Sequence, residues 1–540
     1  MADRRTIDGF DIRWNAELAR SYYSAGHWSS ETLADALRAA LRVDPHRAVV
    51  IAPERTLRVV DLDQESATLA MWFSERYPTG SVISFMLPNY WEAVVIYLAI
   101  TRAGCVAHPI LPSLRAAELS FMLADAHSRC LFIPEQFRGH DYVAMMEQVC
   151  KTIPNDSFDV VVLRGATGKF ERYENIQGLQ RETYLDRALN ADSVRLLMYT
   201  SGTTGRPKGV LHTHNSMAAL LQQIGLHWQV DPNDRFLVAS PISHIGGSIY
   251  TFEMPLLLGT TAVLMSEWEP DAALTAMRDH RITHFAGATP FLSGLLAAAQ
   301  TSGDRLPDLK IFICGGASVP AQLVDTANEY FASARVTRVY GSTEIPVTTV
   351  GVFPPQPEQF AAESDGAPGF AQVELREEHG VFEVYARGPQ MFVGYLHRED
   401  EAGLFDSAGY FRTGDQAHWL QERYLVIDGR SKDIIIRNGE NISPKEIEDR
   451  LVTHPDIAQA AVVGIPDAKT GERAVAVIVT RNNTEITLSA VADFLASQGV
   501  ARFKTPEGVY LLDDLPKNDA GKVLKHRLRE WLADTVAGIH

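Results

Sequence analysis

Residues 196–214 read Leu-Leu-Met-Tyr-Thr-Ser-Gly-Thr-Thr-Gly-Arg-Pro-Lys-Gly-Val-Leu-His-Thr-His, and the fold is read outward from them. An apolar, strand-like run ends at Tyr199. Thr200, Ser201, Thr203 and Thr204 then alternate with Gly202, Gly205 and Gly209 around Lys208. Glycines allow positive φ and let backbone N–H groups close on an anion, hydroxyls donate further hydrogen bonds, and Lys208 adds a point charge. Such a loop can cradle a nucleotide polyphosphate. It is not a Walker loop, which needs Gly, four residues, then Gly-Lys-Ser/Thr; four residues on from Gly202 falls on Pro207-Lys208. The plain alternative is a mobile Gly/Ser/Thr surface loop.

The whole string resembles the phosphate-loop signature of the adenylate-forming, AMP-binding superfamily, which includes acyl-CoA synthetases, peptide-synthetase adenylation domains and luciferases. Further motifs follow in the order that the resemblance implies. Ser243-His244, with Gly246-Gly247 behind it, is similar to the aromatic-or-His gate at the acyl pocket. Cys314-Gly315-Gly316-Ala317 ends an apolar run, and its small residues let a planar ring lie against backbone; by resemblance the turn borders adenine. Cys314 reads as a buried filler, not a nucleophile.

Tyr340-Gly341-Ser342-Thr343-Glu344 combines an aromatic, hydroxyls and a carboxylate. Magnesium prefers carboxylate and phosphate oxygens, so one Glu suffices when ATP supplies the rest. The resemblance assigns Tyr340 to adenine, Thr343 to phosphate and Glu344 to Mg2+. Asp415, in Tyr410-Phe-Arg-Thr-Gly-Asp415, can accept from both hydroxyls of a ribose. Arg430 resembles a nucleotide contact and Lys432 the hinge. Arg437-Asn438-Gly439-Glu440 lies in the loop that resembles a coenzyme A (pantetheine) channel, with Asn438 where the family usually has a second glycine; Asn tolerates left-handed backbone. Lys522, after Pro516 and Gly521, matches the catalytic lysine.

Composition narrows the classes. A formal net charge of −17 over 540 residues argues against nucleic-acid or anionic-membrane partners. The cysteines Cys105, Cys130, Cys150 and Cys314 are widely spaced, so neither a zinc cluster nor a disulfide framework follows. The N-terminus lacks the apolar core of a signal peptide, and the most apolar stretch, Met254 to Met265, is too short to span a membrane. A cytoplasmic protein with no integral membrane segment is expected; a homodimer is left open.

Strand-helix alternation from Glu31 to about Gly165, resuming after the phosphate loop to Tyr340, implies parallel crossovers. The fold class expected is α/β: a large N-terminal domain (1–429) of layered α/β subdomains plus a β-rich subdomain, then a small mobile α+β C-terminal domain (430–540). Gly165-Ala-Thr-Gly-Lys-Phe170 mimics a phosphate loop without its spacing and reads as a turn leading into a polar connecting segment. In open α/β sheets ligands collect at the carboxyl ends of strands, where the gate, adenine and Tyr340 motifs fall.

Taken together, the resemblance implies an ATP-dependent ligase that forms an acyl-adenylate and pyrophosphate, then an acyl-CoA thioester and AMP, using ATP, Mg2+ and coenzyme A. Catalytic candidates are Lys522, Thr343, Glu344 and His244. The acyl pocket candidates are His244, Ile245, Ile249, Tyr250, Phe252, Gly287, Ala288, Pro346 and Val347, uncharged apart from His244 and fitted to an apolar carboxylic acid. Pro241 to Tyr250 holds no acid to pair an α-ammonium, which disfavours amino acids. The segment from Ile242 to Pro290 looks most like bacterial ligases for medium-chain or alicyclic (cyclohexanecarboxylate-type) acids; aryl acids stay open. Alternatives are a stand-alone adenylating enzyme loading a carrier protein, a luciferase-like oxygenase, and, from another class, an inactive nucleotide-binding regulator.

Overall fold

Runs such as Val-Ile-Ser-Phe and Cys-Leu-Phe-Ile-Pro, apolar on both faces, form strands buried between helical layers. In the computed structural model they build two seven-stranded sheets. The structure describes residues 3–153, 158–178, 184, 186–200, 206–316, 319–331, 333–378, 381–437, 440–467, 470–481, 484–518 and 521–537.

The first sheet runs in the order Glu171–Arg172, Asp159–Leu163, Cys130–Pro134, Val82–Phe85, Val106–Pro109, Val194–Thr200 and Lys208–Thr213. Its neighbours are parallel except the last pair, an antiparallel hairpin in which Thr200 faces Lys208. The phosphate loop is therefore the connection of that hairpin. Its second strand, with Val210 and Leu211 fully buried, is not among the strands that the sequence pattern announces. The stretch after Gly165 is the expected turn, continued by a strand of two residues and the short helix Tyr173–Gln177.

The second sheet is ordered Arg335–Val339, Ile311–Gly315, His284–Gly287, Arg235–Val238, Thr261–Leu264, Ala48–Ala52 and Arg55–Arg58. One expectation is corrected: strand-helix alternation groups Ala48–Ala52 with the strands that follow it, yet it crosses to this sheet and lies parallel to Thr261–Leu264. Its all-apolar Ala-Val-Val-Ile-Ala suits an inner position, and Arg55–Arg58 folds back to close the polar edge.

Helices fill the space between the sheets. Trp228, buried completely, donates from Nε1 to the Val350 carbonyl at 3.0 Å. A helix begins at Ile245 and runs into a π turn, Ile249–Glu253. Glu253 lies fully buried beside Arg195 at 3.0 Å and the Tyr97 hydroxyl. Removing one partner of such a pair costs about 3–5 kcal/mol, because the other charge is left without water.

The β-rich part is a four-stranded antiparallel sheet of Gln372–Glu378, Val381–Arg387, Phe411–Leu420 and Tyr424–Arg430. The last fifth forms a separate sheet, its long hairpin Ile457–Asp467 and Gly471–Thr480 flanked by the helices Pro444–Leu451, Leu488–Ser497 and Lys525–Ala537. Ser443 caps the first of these by accepting from Glu446 N, as Ser-Pro implies, and its hydroxyl also donates to Asp428 O at 2.7 Å, a link back to the four-stranded sheet.

Candidate active site

Four adjacent strands of the second sheet end side by side. Val339 pairs with Gly315 and Gly287 with Cys314, and the strand Arg235–Val238 lies next in order. Tyr340, Gly315-Gly316, Gly287-Ala288 and Ser243-His244 therefore line one carboxyl edge, although they are far apart in sequence. Gly341 is required by space: an added Cβ would stand 2.5 Å from Val347 N, so the turn from Tyr340 to Glu344 folds tightly onto Pro346 and Val347.

The phosphate-loop hairpin of the first sheet reaches this edge through hydrogen bonds. The His212 ring Nε2 lies 2.7 Å from Thr343 O. The segment before Leu396 runs beside the strand Lys208–Thr213, with Leu396 N donating to Gly209 O and Leu211 N to Gly394 O. This places Tyr395 between two expected site residues: its hydroxyl donates to Glu344 Oε1 at 2.9 Å, and Lys208 Nζ stands 5.1 Å from its ring centre. Lys208 itself donates to Asp400 O at 3.1 Å and has Asp400 Oδ1 at 3.8 Å.

Around Asp415, the residue expected at the ribose, Tyr340 donates to Oδ2 at 2.7 Å and Arg430 Nε lies 3.1 Å from Oδ1. Asp415 holds the Arg430 guanidinium above its usual value. Arg338, doubly bonded to Asp365, fixes the strand that delivers Tyr340, while Asp365 Oδ2 accepts from Ile427 N of the strand that delivers Arg430.

Lys522 enters this cleft from the last third of the chain. Gly521, at φ +79°, packs on Pro290 and Ala288. Crowding by protein atoms, then repulsion from Arg430, pushes the Lys522 ammonium down to about 8. Its side chain still meets solvent, so it lines an open cleft and is not sealed in a core. His244 accepts from Gly246 N at 3.2 Å through Nδ1 and so caps the helix that begins at Ile245. A backbone N–H can only donate, which leaves the proton of the neutral ring on Nε2. Burial, and then Lys522, lower the pKa of His244 and keep it neutral.

A cavity of about 50 Å³ adjoins this point, lined by Ser243, His244, Ile245 and Thr343 on one side and by Ile110, Leu114 and Met122 on the other. Of the residues read as an acyl pocket, His244 and Ile245 line it. Ile249 and Tyr250 pack into the core, Tyr250 stacked on Phe236 at 5.5 Å, and Phe252 stacks on Tyr97 at 4.3 Å. Gly287 and Ala288 lie at the strand end under Gly521.

Ser201, Gly202, Thr203, Thr204, Ala317, Asn438 and Gly439 lie outside the described residues. Arg437 binds Glu507 at 2.5 Å and its strand pairs with Gly471, both within the small domain, and Glu440 is its hairpin partner. The arrangement thus groups Lys522, not Arg437 and Glu440, with the residues expected at the nucleotide. Lys432 lies in a single 3-10 turn, Ser431–Asp433, its pKa lowered by burial and then by Arg430. Burial pushes the Cys314 thiol up to about 12, as a filler requires. Asp400, Asp125 and Tyr395 carry no motif of their own, and Arg206, inside the quoted phosphate loop, is not singled out there. Their only signal in the sequence is position, in an acid run and beside quoted motifs.

A family model described as AMP-binding enzyme matches residues 37–396, and the AMP-binding enzyme C-terminal domain matches residues 446–522. The chain belongs to the AMP-binding enzyme family. Among its relatives, the medium-chain fatty-acid–CoA ligase of Escherichia coli (strain K12) is 31% identical over 96% of this chain and 94% of that one. The 2,3-dihydroxybenzoate-AMP ligase of Bacillus subtilis (strain 168) is 27% identical over 96% and 97%. A solved family structure, the o-succinylbenzoate coenzyme A synthetase of Bacillus subtilis in complex with AMP, superposes with a TM-score of 0.78 at 26% identity, covering 92% of this chain and 98% of that chain. Among the described residues, no helix is long and apolar enough to cross a membrane.

Proposed function

We propose that this family member is an ATP-dependent carboxylic acid–CoA ligase for an apolar acid, medium-chain, alicyclic or aryl, acting in the cytosol. The observation that carries the reading is convergence: Lys208 and Glu344 share Tyr395, while Lys522 reaches the same edge from the last third of the chain, beside Arg430 and His244. Relatives named for medium-chain fatty acid and indoleacetate, the latter from Aromatoleum aromaticum and 29% identical, support the apolar class.

The substrate carboxylate is ionised at neutral pH, so it needs no general base. It needs the repulsion between itself and the α-phosphate relieved. Lys208 and Lys522 supply positive charge from two domains, and the Nε2–H of His244 donates to the carboxylate and orients it. Tyr340 and the turn at Gly315-Gly316 border the adenine, Asp415 holds the ribose, and Thr343 contacts phosphate. Glu344 would hold Mg2+ as a hard oxygen donor, and the ion would there supply positive charge against the phosphate oxygens.

For the second step, the C-terminal part, 430–540, with its hinge at Lys432, rotates against 1–429, withdrawing Lys522 and presenting Arg437 to Glu440 toward the thiol. Support for a joint in this region comes from the two family models, which leave residues 397–445 between them. The test is to incubate the protein with ATP, Mg2+ and a panel of acids, with CoA or a holo carrier protein as acceptor. Acid-dependent pyrophosphate release with a CoA thioester supports the reading. Release with transfer only to the carrier would favour a stand-alone adenylating enzyme that loads a carrier protein. No release with any acid would overturn both and leave a nucleotide-binding regulator.

A further inference from the structure

Both roots of the phosphate-loop hairpin are held by carboxylates. At the first, Tyr199 donates to Asp125 Oδ2 at 2.7 Å, and the His397 ring Nε2 lies 2.9 Å from Asp125 Oδ1. At the second, Arg206 donates to Asp400 Oδ2 at 2.9 Å while Lys208 donates to Asp400 O and stands 3.8 Å from its carboxylate. Arg206 also lies 3.9 Å from Asp125. Two cations and two carboxylates thus balance at the place where a polyphosphate must bind. Asp400 sits on the 3-10 turn Arg398–Glu401, which Glu401 anchors by bonding Tyr395 N, Arg4 and Arg13. The carboxylate is therefore delivered by a fixed element.

We propose that Asp400 is a positioning residue that acts as a stand-in anion. It holds Lys208 and Arg206 in place before ATP arrives, yields them to the phosphate oxygens, and reclaims them as pyrophosphate leaves. The inference rests on the reading of Lys208 as a phosphate contact. A polyphosphate carries more charge than one carboxylate and wins the exchange, whereas the returning carboxylate competes with pyrophosphate and speeds its release. Asp400 on this account weakens pyrophosphate binding and keeps product inhibition low.

The experiment uses the full chain and titrates inorganic pyrophosphate with Mg2+ calorimetrically into wild type, Asp400→Asn and Asp400→Glu, alongside KM for ATP and kcat. Asp400→Asn should bind pyrophosphate about two- to fivefold more tightly, the scale of a partly exposed ion pair. KM for ATP should fall by a similar factor, and Asp400→Glu should restore wild-type values. Unchanged or weaker pyrophosphate binding in Asp400→Asn would overturn the inference, since a merely structural aspartate loses affinity when neutralised. Should Asp400→Asn fail to fold by circular dichroism, Asp400→Ser carries the same expectation. If wild type itself binds no pyrophosphate and releases none from ATP, the functional reading falls first.

Discussion

The two lysines of the site sit in opposite surroundings. Lys208, on the strand that closes the phosphate-loop hairpin, leans on Tyr395 and is matched by Asp400. Lys522, on the loop before the last helix, has no carboxylate hydrogen-bonded to its ammonium among the described residues; crowding by protein atoms and repulsion from Arg430 and Lys432 outweigh the attraction of Asp415 and Asp433. One cation is stored in a neutral setting and the other is held where its charge is costly. On the proposed function, anions that reach Lys522 relieve this cost, and the contrast assigns the larger share of stabilisation to Lys522.

Substitution at Lys522 should therefore have the largest effect. Lys522→Ala is expected to lower adenylate formation about 10²- to 10³-fold, with thioester formation from synthetic acyl-adenylate changed only a few-fold, measured as separate half-reactions. Equal loss of both would erase the distinction between the lysines. Lys208→Ala should cost about 10- to 100-fold in kcat/KM for ATP, the range for a charged hydrogen bond to phosphate. A loss as large as that of Lys522→Ala would mean the two are equivalent. Next, Asp415→Asn should raise KM for ATP by about tenfold with little change in kcat, as Arg430 and Tyr340 lose their shared acceptor.

The smallest effect is one of pH. Because Lys522 is pushed down to about 8, its cation is complete below that pH and is lost as pH rises through it. The kcat/KM for ATP should accordingly fall about twofold between pH 7 and pH 8 and continue downward. Lys522→Arg should flatten this fall, since guanidinium keeps its proton. A profile in wild type that stays level to pH 9 would contradict the crowding around Lys522.

Much of this architecture was legible because the motifs fall where strands end. Apolar runs followed by Gly-Gly, Ser-His or Tyr-Gly announce a carboxyl edge, and sheet order then sets them side by side. The strand Ala48–Ala52 could not be placed, because its apolar pattern states that it is buried and is silent on which sheet buries it. Tyr395, Asp125 and Asp400 were missed for a related reason: each acts through a partner distant in sequence, and a lone acid or tyrosine has no spacing to announce it. The packing of Tyr250 and Phe252 on core aromatics shows the same limit, since an apolar residue beside a gate can face either the gate or the core.

Gly521 touches the large domain at Pro290 with nothing bulkier than backbone; a methyl placed there would come within 3.2 Å of the proline ring, at a φ that disfavours any side chain. Carbon–carbon contacts are worth about 0.1–0.2 kcal/mol each, so this contact by itself can be released without disturbing either hydrophobic core. If Lys522 serves adenylation alone, the tip that carries it must land and lift once in every turnover. A larger residue at 521 would hinder the landing far more than the lifting.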